Sequence, residues 1–235
     1  MTDWNRFRPT DYAEDNYLRE LRDDDRELLE LTASWFTSCR PSGRALDVGA
    51  GSNLYPSLAM LPFATTLDLY DPGALNVQWL RGQVQGFGAE WDPYWQVLCD
   101  AQPDVYKALD PRQWLARLAT VRNASVDYLR AGQWELGTMF FCAESSTDDR
   151  RLCNGRFRRF VHALRPGAPF AIGAMRDSFG YTVGGVDFPA TPMNDDDVRD
   201  VLGPVACDLQ VHTVKADPPL REGYQGMLLA TGRAL

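Results

Sequence analysis

Apolar positions divide this chain into short extended runs and longer amphipathic ones. Residues 45–48, 65–70, 137–142 and 168–175 are apolar or β-branched runs bounded by Gly, Pro or Asp, the pattern of buried strands. Between them lie stretches with helical spacing. From Tyr17 to Cys39, Leu18, Leu21, Leu28, Leu29, Thr32, Trp35 and Phe36 recur on one face, which leaves Asp23, Asp24 and Asp25 on the solvated side. Leu54-Tyr55-Pro56 opens a helix, with Pro56 in the first turn where its missing N–H costs nothing, and Pro62 ends it. Ala74 to Leu80 reads as a short helix. From 148 to 164, Leu152, Phe157, Phe160, Val161 and Leu164 face inward, and the arginines at 150, 151, 156, 158 and 159 form a solvated face. Asn194 caps a helix that begins Asp195-Asp196-Asp197.

The rest of the pattern is less regular. Residues 81–123 are rich in aromatics and divided by Pro93, Pro103 and Pro111, which predicts helices over 94–99, 105–109 and 111–120, with a third strand ending near Ser125-Val126. Gly180, Gly184 and Gly185 make 178–192 a loop or hairpin over the strand ends. Residues 207–215 and 224–232 are the last two strands, an antiparallel closing pair. Strands alternating with helices predict an α/β fold with a mostly parallel sheet. No repeat or low-complexity linker divides the chain, so a single domain is expected, with residues 1–40 as a helical cap over a core of 41–235.

At 235 residues the chain can bury a sizeable core. Its net charge of -8 argues against nucleic acid or an anionic membrane as the main partner. No apolar run reaches the length of about 18 residues needed to span a bilayer. The five cysteines are scattered, with no C-x-x-C, and residues 1–6 lack a secretory apolar core; reduced thiols and a cytoplasmic location are expected. His162 and His212 stand far apart, so no metal is expected.

The candidate chemistry begins where residues 45–48 empty into Gly49-Ala50-Gly51 and a helix follows. A strand, glycine turn and helix place backbone N–H groups at the carboxyl end of a parallel sheet, where ligands of such sheets bind. Asp47 stands two places before the first glycine, and Leu54 replaces the third glycine of a pyrophosphate loop. Both features suit a ligand without phosphate, held by close backbone contact and by a carboxylate near a cation. S-adenosylmethionine (SAM) has that chemistry. Asp71 lies 24 residues after Asp47, at the end of the second strand, where an acceptor-only carboxylate can take both ribose hydroxyls. Asp68 is its rival, and the spacing favours Asp71. Asn76 follows within reach of the same ribose.

On these residues the chain resembles the SAM-dependent small-molecule N-methyltransferases that act on nicotinamide, phenylethanolamine and indolethylamine, with their bacterial relatives. The resemblance covers roughly residues 10–232. It rests on Asp11-Tyr12 with Tyr17, on residues 47–55, on the Asp71/Asn76 pair and on Leu164-Arg165-Pro166-Gly167. It implies a Rossmann-like class I methyltransferase with a seven-stranded sheet, SAM as cofactor, a small-molecule substrate, and a monomer or homodimer. It also implies roles for residues. Tyr12 and Tyr17 close over SAM, and Gly49, Gly51 and Tyr55 hold its methionine moiety. Ser125 and Val126 flank the adenine, and Phe140 walls the site. Glu144, Ser178 and Tyr181, with Tyr12, are the candidates for the reaction centre, together with Phe141 and Ser145. The family's carboxylate late in strand 5 aligns with Ala174 here, a departure that bears on the acceptor.

Two reactions fit this reading. One is methyl transfer to a small amine or heterocyclic nitrogen. The other is cyclisation, in which SAM's own α-amine attacks its γ-carbon to give azetidine-2-carboxylate and methylthioadenosine, as some bacterial look-alikes do in natural-product pathways. A non-catalytic SAM-binding protein is a third possibility. The acidic charge, and the lack of an Asn/Asp-Pro-Pro-Tyr-type motif after strand 4, count against methylation of nucleic acid.

Overall fold

The fold, seen in a computed structural model that describes residues 4–215 and 225–235, begins with a 3-10 turn at Trp4–Arg6. Helix α1 (Pro9–Ala13) runs directly into a π-helical turn at Glu14–Leu18, and α2 spans Asp23–Cys39. Then follow β1 (Gly43–Val48), α3 (Tyr55–Met60), β2 (Ala64–Asp71), α4 (Ala74–Val84), α5 (Asp92–Ala101), α6 (Pro103–Tyr106), α7 (Pro111–Leu118) and β3 (Ala119–Asn123). The second half holds β4 (Leu136–Phe140), α8 (Arg150–Ala163), β5 (Pro169–Met175), the hairpin β6 (Gly180–Val183) and β7 (Val186–Pro189), α9 (Asp195–Leu202), β8 (Ala206–Val214) and β9 (Met227–Ala234).

Seven strands form one sheet in the order β3-β2-β1-β4-β5-β9-β8. The first five are parallel, and β9 pairs antiparallel with both β5 and β8. The order reverses direction between β1 and β4, the crevice in which α/β sheets bind ligands. Every residue of β4 and β5 is buried, as expected of strands covered on both faces. Alternate residues serve two layers. Ala45, Leu67, Leu69 and Phe140 pack toward α2, α3 and α5. Leu46, Val48, Met139 and Ile172 pack toward α8 and α9.

A third, small cluster joins the start of the chain to the hairpin: Phe7, Val183 and Phe188 are buried together, with Trp4, Tyr12 and Tyr181 against them. Phe188 stacks between Trp4 and Tyr181, at 5.5 Å from each. The N-terminal segment is therefore held from above, by the hairpin, as well as from the body of the domain.

Several expectations need correction. The helix expected from Tyr17 is interrupted before Asp23, and Asp24 and Asp25 are buried at 3% and 1% exposure rather than solvated. A hydrogen bond from Tyr55 to Asp25 and the Arg22–Asp24 ion pair make that burial tolerable. The third strand is Ala119–Asn123, so residues 119–120 belong to it rather than to the preceding helix, and Ser125 caps a following 3-10 turn. Leu152 faces outward at 42% exposure. The last strand begins, within the described residues, at Met227, and Tyr224 lies outside them.

Candidate functional site

A cavity of about 430 Å³ opens at the carboxyl ends of β1, β2 and β4. Its floor is the loop from Gly49 to Asn53. Gly49 and Ala50 both donate from their backbone N–H to the Tyr70 carbonyl, at 2.8 and 3.2 Å, which pins the turn onto β2. Gly49 adopts φ +68°, and a Cβ there would lie 2.4 Å from the Cys142 sulfur and 2.6 Å from its Cβ. Only glycine permits β1 and the end of β4 to approach this closely.

Asp71 closes one end of the floor. Its Oδ2 accepts from the Gly51 N–H at 3.0 Å, and its Oδ1 accepts from the Gly73 N–H at 2.7 Å and from Asn76 Nδ2 at 3.0 Å. Burial pushes its carboxyl up to about 6, against the pull of these donors. Asp68 is elsewhere. It pairs with Arg44 and Arg122 and accepts from Trp134 Nε1 at 2.8 Å, as a fastening between β1, β2, β3 and the loop before β4. Beyond Asp71 the cavity is walled by Ser125, Val126 and Asp127. Arg156 grips both oxygens of Asp127, at 3.0 and 2.9 Å, and donates to Ser146 Oγ at 2.7 Å. That guanidinium holds the Asp127 carboxyl below the usual carboxylate range.

The opposite end is aromatic. Trp4, Phe7, Tyr12 and Tyr17 come from the N-terminal segment, Phe140 and Phe141 from the end of β4, and Tyr181 from the hairpin. Tyr12 lies edge-on to both Tyr17 and Tyr181. Phe141 is held at φ +51°, an uncommon backbone for a bulky residue, with its N–H on the Gly173 carbonyl at 2.8 Å. The Tyr181 hydroxyl donates to the Ser145 carbonyl at 3.0 Å, which ties the hairpin to the turn after β4. Among the described residues, Asp71 and Asp127 are the acids that line the cavity, both at its polar end.

Of the residues singled out in the sequence, Tyr12, Tyr17, Gly49, Gly51 and Asp71 line this cavity, as do Asn76, Ser125, Val126, Phe140 and Tyr181. Four others do not. Asp47 points into the core, where Ser57 Oγ and Thr138 Oγ1 donate to it, and burial raises its carboxyl to about 7. Tyr55 is fully buried in the layer beneath the floor, its hydroxyl on Asp25 at 2.9 Å. Glu144 turns under the end of β5, where its Oε1 accepts from the Met175 N–H at 3.1 Å and from Ser145 Oγ at 2.9 Å. Ser178 is buried and does not line the cavity; the N–H of its neighbour Asp177 bonds to the Met193 carbonyl at 2.9 Å. Ala174 belongs to the layer that faces α8 and α9, so a carboxylate at that position would not face the cavity either.

Trp4, Phe7, Ser52, Asn53, Asp127 and Arg156 line the cavity and were not predicted as site residues. Asp127 was within reach of sequence reasoning, because it directly follows the Ser125-Val126 pair. Arg156 was not, since nothing in its spacing separates it from the other arginines of α8.

Buried polar atoms test the fit of SAM. Ser52 Oγ, Asn53 Nδ2 and Asn76 Oδ1 each lack a hydrogen-bond partner among the described residues, and all three residues line the cavity. Unpaired buried groups are costly, and a ligand rich in hydroxyl, carboxylate and ammonium groups can pair with them. SAM carries all three.

A sequence model of the NNMT/PNMT/TEMT family matches residues 2–225. No curated protein matches the sequence. Among solved structures, magnesium protoporphyrin IX methyltransferase from Synechocystis PCC 6803 with bound SAM is 10% identical, with a TM-score of 0.59 over 94% of this chain and 89% of its own. The N-methyltransferase NodS from Bradyrhizobium japonicum WM9 in complex with S-adenosyl-L-homocysteine (SAH) is 12% identical, with a TM-score of 0.56 over 96% and 98%. The 1,6-didemethyltoxoflavin-N1-methyltransferase from Burkholderia thailandensis is 15% identical, with a TM-score of 0.54 over 89% and 79%. At these identities the likeness is one of fold.

Proposed function

The chain belongs to the NNMT/PNMT/TEMT family and is a SAM-dependent enzyme of methyltransferase fold, and we propose that it transfers a methyl group to a small amine or heterocyclic nitrogen. One observation carries the reading: a single cavity joins a polar cradle at Gly49–Asn53 and Asp71 to an aromatic chamber built from Tyr12, Tyr17, Phe140 and Tyr181.

SAM supplies an electrophilic carbon on a cationic sulfur that leaves as a neutral thioether. What the chain supplies is position. Asp71 and Asn76 would hold the ribose, Ser125 and Val126 the adenine, and the Gly49–Asn53 loop the methionine end. The aromatic faces favour a sulfonium at the mouth of the chamber by cation–π attraction, about 0.5–2 kcal/mol each in such settings. They also exclude water, so that the nucleophile meets the carbon at near-attack distance. The aromatic end offers no carboxylate, so the nucleophile must arrive neutral. Of the candidate proton acceptors, Tyr12 and Tyr181 line the cavity and Glu144 does not, which supports a tyrosine hydroxyl in that role.

The same missing carboxylate favours a second reading, intramolecular cyclisation. A chamber without an acid has nothing to hold a cationic acceptor, and SAM's own α-amine could be the nucleophile. Its nitrogen would bond to the γ-carbon as the carbon–sulfur bond breaks, with one amine proton passing to solvent. The products would be azetidine-2-carboxylate and methylthioadenosine. Incubation with SAM alone, then with a panel of amines and N-heterocycles, separates the readings. SAH formed only with an acceptor supports methyl transfer, and azetidine-2-carboxylate formed together with methylthioadenosine, without an acceptor, overturns it in favour of cyclisation. Thermal stabilisation by SAM with neither product overturns both.

A further inference from the structure

Asp25 is one of several buried carboxylates that lie outside the cavity, with Asp24, Asp47, Asp68 and Glu144. It sits in the first turn of α2 at 1% exposure and accepts from the Tyr55 hydroxyl at 2.9 Å. The neighbouring Arg22 bonds to Asp24, at 3.2 Å. A buried carboxylate facing a neutral phenol is a costly arrangement. Here it fixes the one hydroxyl that orients a ring lying directly under the cavity.

Tyr55 packs against three partners. Its ring stacks on Tyr94 at 5.5 Å and 7°. It meets Tyr17 edge-on at 5.9 Å and Phe140 edge-on at 5.8 Å. Tyr17 and Phe140 are cavity walls, one from the N-terminal segment and one from β4. Tyr94 adds a second hold on the same wall, its hydroxyl donating to the Tyr17 carbonyl at 3.0 Å. The phenol of Tyr55 is thus anchored at its tip by Asp25 while its ring braces two walls that belong to different parts of the chain.

We infer that Asp25 is a positioning residue for the SAM site, acting through the Tyr55 hydroxyl to set the Tyr17 and Phe140 walls. The inference rests on the SAM reading of the cavity. It places Tyr55 as a brace beneath the site and not as a ligand contact.

The test uses the full chain and SAH as the probe, with calorimetric affinities measured at a temperature where each variant is folded. D25L and Y55F each break the same hydrogen bond, and each is expected to weaken SAH about tenfold. The double variant D25L/Y55F should bind no worse than D25L, because both changes remove one interaction. D25N keeps an oxygen acceptor in the same place and should recover affinity to within about threefold of wild type. A role confined to stability would lower the melting temperature of D25L and Y55F and leave their SAH affinities at the wild-type value; that result, or additive losses in the double variant, overturns the inference. If D25L does not fold, Y55F and D25N still decide, since both preserve volume. Failure of the wild-type chain to bind SAH overturns the SAM reading and this inference together. Wild-type binding with unaffected variants overturns the inference alone.

Discussion

Lowering the pH should weaken SAM and SAH binding through Asp71, and the size of the effect can be worked from its surroundings. Burial lifts this carboxyl from 3.8 to about 6, although Gly73, Asn76 and Gly51 all donate to it. A ribose hydroxyl can donate to the ionised carboxylate. Once protonated, the group already faces three donors and has one acceptor site fewer. If the ionised form is the one that binds, apparent affinity scales with the ionised fraction, which is about 97% at pH 7.5 and about 9% at pH 5 for a midpoint near 6. Binding should therefore weaken about tenfold between those pH values, with the limb centred near 6. For the unliganded protein the sign is opposite. A carboxyl raised in the folded state binds protons more tightly there, so this group costs stability as pH rises from about 4 to about 6. Asp127 does not confuse the profile, because Arg156 holds its carboxyl low. Asp25 and Asp47 have raised midpoints near 7, so D71N is the necessary control. Isothermal titration with SAH from pH 5 to 7.5 reads the effect. D71N should bind weakly and lose the limb near 6. A wild-type affinity that stays flat from pH 7.5 to 5, or a D71N profile that keeps the limb, would refute the assignment of Asp71 to the ribose.

Other consequences can be checked in the same assays. G49A places a Cβ 2.4 Å from the Cys142 sulfur at a backbone angle of φ +68°, so the loop must shift. The left-handed conformation alone costs about 1–2 kcal/mol, and calorimetry should show a fall in melting temperature of about 2–8 °C together with lost SAH binding. D68A removes the partner of Arg44, Arg122 and Trp134 from outside the cavity. It should cost about 2–3 kcal/mol of stability and leave SAH affinity unchanged at temperatures where the variant is folded; a selective loss of affinity would revive Asp68 as the ribose acid. Y94F removes the hydrogen bond to the Tyr17 carbonyl and should weaken SAH binding about threefold, read by titration calorimetry.

How much of this was legible in the sequence depends on what each residue's position required. The sheet was legible because strands covered on both faces leave uninterrupted apolar runs, as in residues 136–140 and 169–175. The cradle was legible because only glycine suits the turn at Gly49, and because the backbone places Asp71 where the second strand ends. The side chains in the layer beneath the cavity were not legible. Asp23-Asp24-Asp25 reads as a solvated triplet at the start of a helix, where acids are favoured by the helix dipole. Nothing local indicates that one helical step carries Asp25 under Tyr55, 30 residues away in the chain. Glu144 shows the same limit from the other side. The turn after β4 carries it to the end of β5, where the Met175 N–H claims its carboxylate, so an acid at the expected place in the chain faces away from the cavity. A motif fixes where a Cα lies along an element. Which of two neighbouring layers its side chain enters is decided by long-range partners. The brace at Asp25 is therefore one that only the three-dimensional structure could suggest, whereas the missing acid at position 174 was legible in the sequence and the structure adds that Glu144 does not replace it.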